Sequence, residues 1–134
     1  MNTRIRHYWA GISCLILVGM LCPGSALAEE GVHAWYLNRT GNKIRIAIDI
    51  KSPPPPVVIV MQKIPEGVTI VSSQPRLQKK DSEHGEVKWL LRNLKTGRTE
   101  VVIQMSREVV AGELSGDIRW QSSFGKGMVR QTIE

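Results

Sequence analysis

Apolar and polar residues alternate most strictly between Lys43 and Lys51, where Ile44, Ile46, Ile48 and Ile50 are interleaved with Lys43, Arg45, Ala47, Asp49 and Lys51. A period of two puts the four isoleucines on one face of an extended chain; around a helix they would scatter. The pattern predicts a half-buried strand with one wet face. The stretch Val57–Ser106 is the densest in such signals. Val57–Gln62 is a continuous apolar run suited to a central strand. Ile64-Pro65-Glu66-Gly67 has proline second and glycine fourth, as a β-turn prefers, and Val68–Ser72 follows as a strand. Ser73–Gly85 is polar and charged and reads as a surface loop. Glu86–Arg92 and Thr99–Met105 then read as a hairpin joined through Asn93–Gly97, or as two strands meeting at a tight corner. Trp89 has Val87 and Leu91 two residues to either side, so one face of its strand carries the bulk of a core.

The flanking segments extend the same grammar. Val32–Asn38 is a first strand, and Arg39-Thr40-Gly41-Asn42 has turn chemistry. Ser52 precedes four prolines, Pro53–Pro56, which cannot donate ladder hydrogen bonds and favour an extended conformation. Such a run can serve as a ligand for a proline-binding groove, but its shortness and its place between two strands favour a stiff crossover. Glu108–Glu113 marks a second corner, and Ser115–Ser122 carries Ile118 and Trp120 two apart. Ser123–Gly127 is a turn before a last strand, Met128–Ile133. About eight short strands punctuated by glycine and proline, with no convincing amphipathic helix after residue 28 and no internal repeat, predict an all-β, antiparallel β-sandwich in preference to a barrel.

The beginning of the chain has a different character. Arg4, Arg6 and His7 precede an apolar run, Ile12–Cys22, which is short for a membrane span; Pro23-Gly24-Ser25 breaks it and Ala26-Leu27-Ala28 is a small-x-small cleavage site. Residues 1–28 thus read as a cleavable signal peptide and residues 29–134 as one domain, exported to the periplasm or the cell surface with no stable membrane span after cleavage. Lipoprotein processing is disfavoured by the large Leu21 before Cys22. Both cysteines, Cys14 and Cys22, leave with the leader, which removes a disulfide framework, a thiol nucleophile and a Cys-based zinc site together. The formal net charge is +6, and the leader takes only Arg4 and Arg6 from it, so the domain stays mildly basic. That balance favours anionic neighbours such as acidic polysaccharide, lipid head groups or an acidic protein face. Nucleic acid is a poor partner, because export separates the two and the basic residues are scattered.

Catalytic and cofactor signatures are not found in the sequence. His84 and Asp81 with a nearby serine would place a triad on one polar loop with nothing to hold its geometry. Asp81, Glu83, His84 and Glu86 fit no calcium loop and no zinc motif, so a solvated loop is the simpler account. No enzyme activity, metal or cofactor is expected. The aromatic residues are the better lead. Trp89 and Trp120 alternate with apolar partners and are expected in the core. Trp35 and Tyr36 are adjacent and point to opposite faces of a strand, so one of them is expected at the surface. Phe124 and Lys126 lie in the glycine-rich turn Ser123–Gly127 and form the candidate contact tip.

Taken together, Ile64-Pro65-Glu66-Gly67-Val68, Gly85-Glu86-Val87-Lys88-Trp89 and Leu94-Lys95-Thr96-Gly97 resemble the conserved-repeat domains of bacterial and archaeal surface proteins. Those modules have a Leu/Ile-Pro-x-Gly-Val turn, a Trp-containing strand and a Leu-x-x-Gly turn at about this spacing. The likeness covers roughly Val57 to Trp120. The family's early Asn-x-Gly turn is only echoed by Asn38–Gly41, the proline run is unusual for it, and its members usually occur in tandem. The resemblance implies an immunoglobulin-like sandwich of about seven or eight strands at the cell envelope and implies no activity. Three functions remain in view: a non-enzymatic module for protein–protein contact or structural assembly with an envelope or surface protein, a carbohydrate-binding module for an anionic polysaccharide, and a periplasmic chaperone or assembly factor. Exposed strand edges would serve the first and third, and surface tryptophans the second.

Overall fold

The computed structural model describes residues 31–81, 85–122, 125 and 127–134; residues 1–28 and both Phe124 and Lys126 lie outside them. The described chain forms nine strands: β1 (Val32–Asn38), β2 (Gly41–Ile50), β3 (Val57–Lys63), β4 (Ile70–Gln74), β5 (Lys79–Asp81), β6 (Glu86–Arg92), β7 (Gly97–Val109), β8 (Ser115–Gln121) and β9 (Met128–Thr132). They pair antiparallel in two sheets, one in the order β1-β2-β7-β4 and the other β5-β6-β3-β8-β9. Ile44, Ile46, Ile48, Ile50, Val101 and Ile103 from the first sheet and Val58, Val60, Val87, Trp89, Leu91, Ile118 and Trp120 from the second share one hydrophobic core. The molecule is a β-sandwich. No helix among the described residues is long and apolar enough to cross a membrane.

Each crossing between the sheets falls where the chain has backbone-stiffening or turn residues. The proline run carries the chain from β2 to β3, with Pro55 buried and the others exposed. The turn between β3 and β4 falls one residue later than the sequence suggests, at Pro65–Val68: Val68 N donates to Pro65 O at 3.1 Å, so proline is first and Gly67 third, where it supplies a positive φ of 74°. A turn of 3-10 helix, Ala111–Glu113, separates β7 from β8. There Glu113 accepts from Arg107 (3.0 Å) and from Val110 N (3.0 Å), which holds its carboxyl below the usual range.

Two further sequence expectations are corrected. Glu86–Arg92 and Thr99–Met105 do not pair as a hairpin: β6 lies between β5 and β3 in one sheet, while β7 lies between β2 and β4 in the other. Both strands have one strongly apolar face, and the corner Asn93–Thr96 lets those faces meet across the core. The polar segment Ser73–Gly85 is not wholly loop, because it contains the end of β4 and all of β5. The backbone of β5 pairs with β6 in the register Lys79↔Lys88 to Asp81↔Glu86, a cross-strand opportunity that local composition does not advertise.

On the side where β1 and β9 meet, the two sheets are joined. Tyr36 N of β1 donates to Glu134 O at 2.8 Å, while Ile133 N donates to Gly116 O at 3.0 Å and continues the β8–β9 pairing past Thr132. Gly116 is required by close approach. A Cβ there would sit 2.8 Å from Met61 O and 3.0 Å from the Ile133 side chain, so β3, β8 and the C-terminal segment pack at backbone distance.

Candidate interaction surface

Trp35 and Tyr36 do point to opposite faces, and the structure gives them different roles. Tyr36 turns inward, and its hydroxyl donates to Gln62 Oε1 at 2.7 Å. Gln62 is completely buried and donates in turn to Lys63 O (3.0 Å) and Ser115 O (2.8 Å). The Arg39 guanidinium lies 4.9 Å from the Tyr36 ring centre and reaches Ala111 O and Leu114 O, so it ties the β1–β2 turn to the β7–β8 corner. Burial pushes the Tyr36 phenol above its ordinary value near 10, against the opposing influence of the Gln62 hydrogen bond and the Arg39 charge. As pH rises through 10 the unfolded chain therefore releases this proton before the folded protein does, and stability falls. Full stability contributed by this group is present below pH 10. Denaturation midpoints measured from pH 8 to 11 are expected to decline above pH 10 in the native protein and to decline less in Tyr36→Phe; parallel declines would mean other groups set the alkaline limit.

Trp35 faces out from β1 and is half-buried. His33 stacks beside it with ring centres 5.4 Å apart, and the Arg98 guanidinium lies 5.0 Å from its ring centre. Its cross-strand partner Ala47 is fully buried although it points outward, which fits a roof supplied by the larger neighbour. The indole is thus engaged by its own chain, not held out as a bare platform.

The strand edges are short. β4 and β9 have five residues each and β5 three, and β1 is closed at Tyr36 by the C-terminal carbonyl. Short edges limit strand addition by a partner. The outer faces of the two sheets differ more. The outer face of the β1-β2-β7-β4 sheet carries charges in opposed pairs, with Arg45 2.7 Å from Glu100 across β2 and β7.

The outer face of the other sheet is built differently. In β3, Val58, Val60 and Gln62 face the core, which leaves Val57, Ile59 and Met61 pointing outward, all half-buried. Leu90 of β6 stands directly opposite Ile59 and is also half-buried. Four apolar side chains therefore run along the centre of a face that has no second layer among the described residues. Around them are Lys63, Lys88, Arg92, Arg119 and Arg130. Among the side chains described, the acidic ones on this face are Glu86 and Asp117, and Asp117 is already held by Arg119 (2.8 Å) and Arg130 (3.1 Å). An apolar stripe with a cationic border is the arrangement that a partner with apolar residues inside an acidic border would complement.

The sequence did carry a signal for this stripe. A run as continuous as Val57–Met61 is what a strand covered on both faces looks like, and here one face is covered by the core alone. Of the contact residues expected from sequence, Trp35 sits on the opposite sheet's outer face, Tyr36 belongs to the interior, and Phe124 and Lys126 lie outside the described residues. Comparisons of the chain with protein-family models, with curated proteins and with solved structures found no match.

Proposed function

We propose that this chain is an exported, non-enzymatic, immunoglobulin-like module that binds a protein of the cell envelope through the outer face of the β5-β6-β3-β8-β9 sheet. The leader-like residues 1–28 support export. The strand order supports the immunoglobulin-like assignment: β1-β2-β7-β4 takes the places of strands A-B-E-D, and β3-β8-β9 those of C-F-G, in such sandwiches. β6 and β5 continue the second sheet beyond the C position, as the extra strands of variable-type domains do, although here they follow the D-position strand in the chain. The observation that carries the binding reading is the outward row Val57, Ile59 and Met61, because three consecutive outward positions on a central strand are apolar where solvent would favour polar residues.

Site-specific photocrosslinking tests it. A photoreactive residue at Ile59 is expected to capture one envelope protein in stoichiometric yield, and the same residue at Arg45 on the opposite outer face is not. Met61→Lys is expected to lower the Ile59 capture at least about tenfold, since burying an unpaired cation in an interface costs more than 1.4 kcal/mol. Its thermal midpoint is expected to stay within a few degrees, because the site is solvent-facing in the free protein. Capture that is equal from both faces, or unaffected by Met61→Lys, would refute docking on this face.

A further inference from the structure

A cleft of about 500 Å³ opens at the end of the sandwich where β6 turns into β7. Ile50, Pro75, Leu91 and Leu94 supply apolar wall, and Arg92, Lys95 and Arg98 are its charged lining residues; no carboxylate lines it. Asn93, Thr96 and Thr99 add neutral polar groups. The volume lies within the range of about 300–1,000 Å³ typical of small-molecule sites.

Two further features make this lining more than a loose group of cations. Arg98 is positioned, because its guanidinium rests over the Trp35 ring at 5.0 Å. A stacked guanidinium loses less freedom on meeting an anion than a free one does. The connecting loop also turns through Asn93 in the left-handed region, with φ of 55°. Among the described residues, no hydrogen bond engages the following backbone amides of Leu94, Lys95 and Thr96. Consecutive amides beside a left-handed residue form the kind of concavity that receives anions.

We infer that this cleft is a binding site for an oxyanion group, carboxylate, phosphate or sulfate, presented by an acidic saccharide. The cations and loop amides take the oxyanion, and the aliphatic wall takes the C–H face of the sugar ring. The cleft shares Leu90 and Arg92 with the border of the apolar stripe, but it is read at the amides of Asn93–Gly97 and its test requires no protein partner, so either proposal can fail without the other.

The test is a titration of the isotope-labelled protein, followed by NMR, with three probes at matched ionic strength: a galacturonate trisaccharide, a neutral galactose trisaccharide and inorganic phosphate. The acidic trisaccharide is expected to shift the amides of Asn93–Gly97 saturably, the neutral one to leave them in place, and phosphate to shift the same amides with an affinity at least about tenfold weaker. Lys95→Gln removes one cation from an exposed loop and is expected to weaken the acidic trisaccharide about three- to tenfold, by loss of one charge-assisted contact. Lys43→Gln, outside the cleft, is expected to leave it unchanged. Equal binding of the neutral sugar, shifts confined to other surfaces, or indifference to Lys95→Gln would overturn the site. Phosphate binding as tight as the saccharide would overturn the saccharide assignment.

Discussion

Replacing Trp89 with alanine is expected to remove about 3–5 kcal/mol of stability, the usual cost of truncating a large buried aromatic residue. Trp89 is fully buried, sits at the middle of β6 opposite Val60, and faces the isoleucines of the other sheet within one core. Its Nε1 donates to Ser73 Oγ at 3.4 Å, a long bond, so nearly all of the loss is packing and apolar burial. Domains of this size are stable by only about 5–15 kcal/mol, and the variant should therefore lie near its unfolding transition at ambient temperature. Urea unfolding gives the measurement, with the midpoint falling and the slope unchanged. Trp35→Ala is the control: a half-buried ring on the outer face should cost much less. A Trp89→Ala loss below about 1 kcal/mol would show that the core closes over the missing indole.

Gln62→Ala has the second largest expected effect, about 2–4 kcal/mol. The side chain is polar, completely buried and fully engaged, accepting from the Tyr36 hydroxyl and donating to the carbonyls of Lys63 and Ser115. Truncation leaves a cavity beside Gly116 and strips the half-buried Tyr36 hydroxyl of its partner. Tyr36→Phe alone should cost less, because the ring's packing remains. The two substitutions act on one hydrogen bond, so a double-mutant cycle should return a coupling of about 0.5–2 kcal/mol. Additivity within about 0.3 kcal/mol would mean that the two side chains contribute independently, and the link between β1 and β3 would lose its energetic standing.

These two residues also mark the limits of what could be read from sequence. Trp89 declared itself, since its apolar neighbours at two-residue spacing leave only one face on which a core can form. Gln62 did not. It ends an apolar run as an ordinary polar residue would, and its significance depends on a tyrosine 26 positions earlier that belongs to another sheet. The same division separates the candidate surfaces. Trp35 and Tyr36 were legible as a pair with opposite directions, but only packing shows that Tyr36 is the inward member and that His33 and Arg98 engage Trp35.

What the amino-acid sequence determined alone is the all-β character, eight of the nine strands to within a few residues, and the inward rows of β2, β6 and β8. Each of these follows from a period of two, from turn chemistry or from proline, which act over a few neighbouring residues. Sheet membership was decided by tertiary structure. Asn93–Thr96 has the chemistry of a hairpin or a corner, and the chain takes the corner because the apolar faces of β6 and β7 are buried against each other's sheets rather than side by side. β5 exists because β6 offers it a free backbone edge. The apolar run of β3 was visible from the start, yet whether its second face would be covered depended on which strands and layers lie around it. Among the described residues no layer covers that face, and it is bordered by cations drawn from β3, β6, β8 and β9, strands that lie far apart in sequence and adjacent in space.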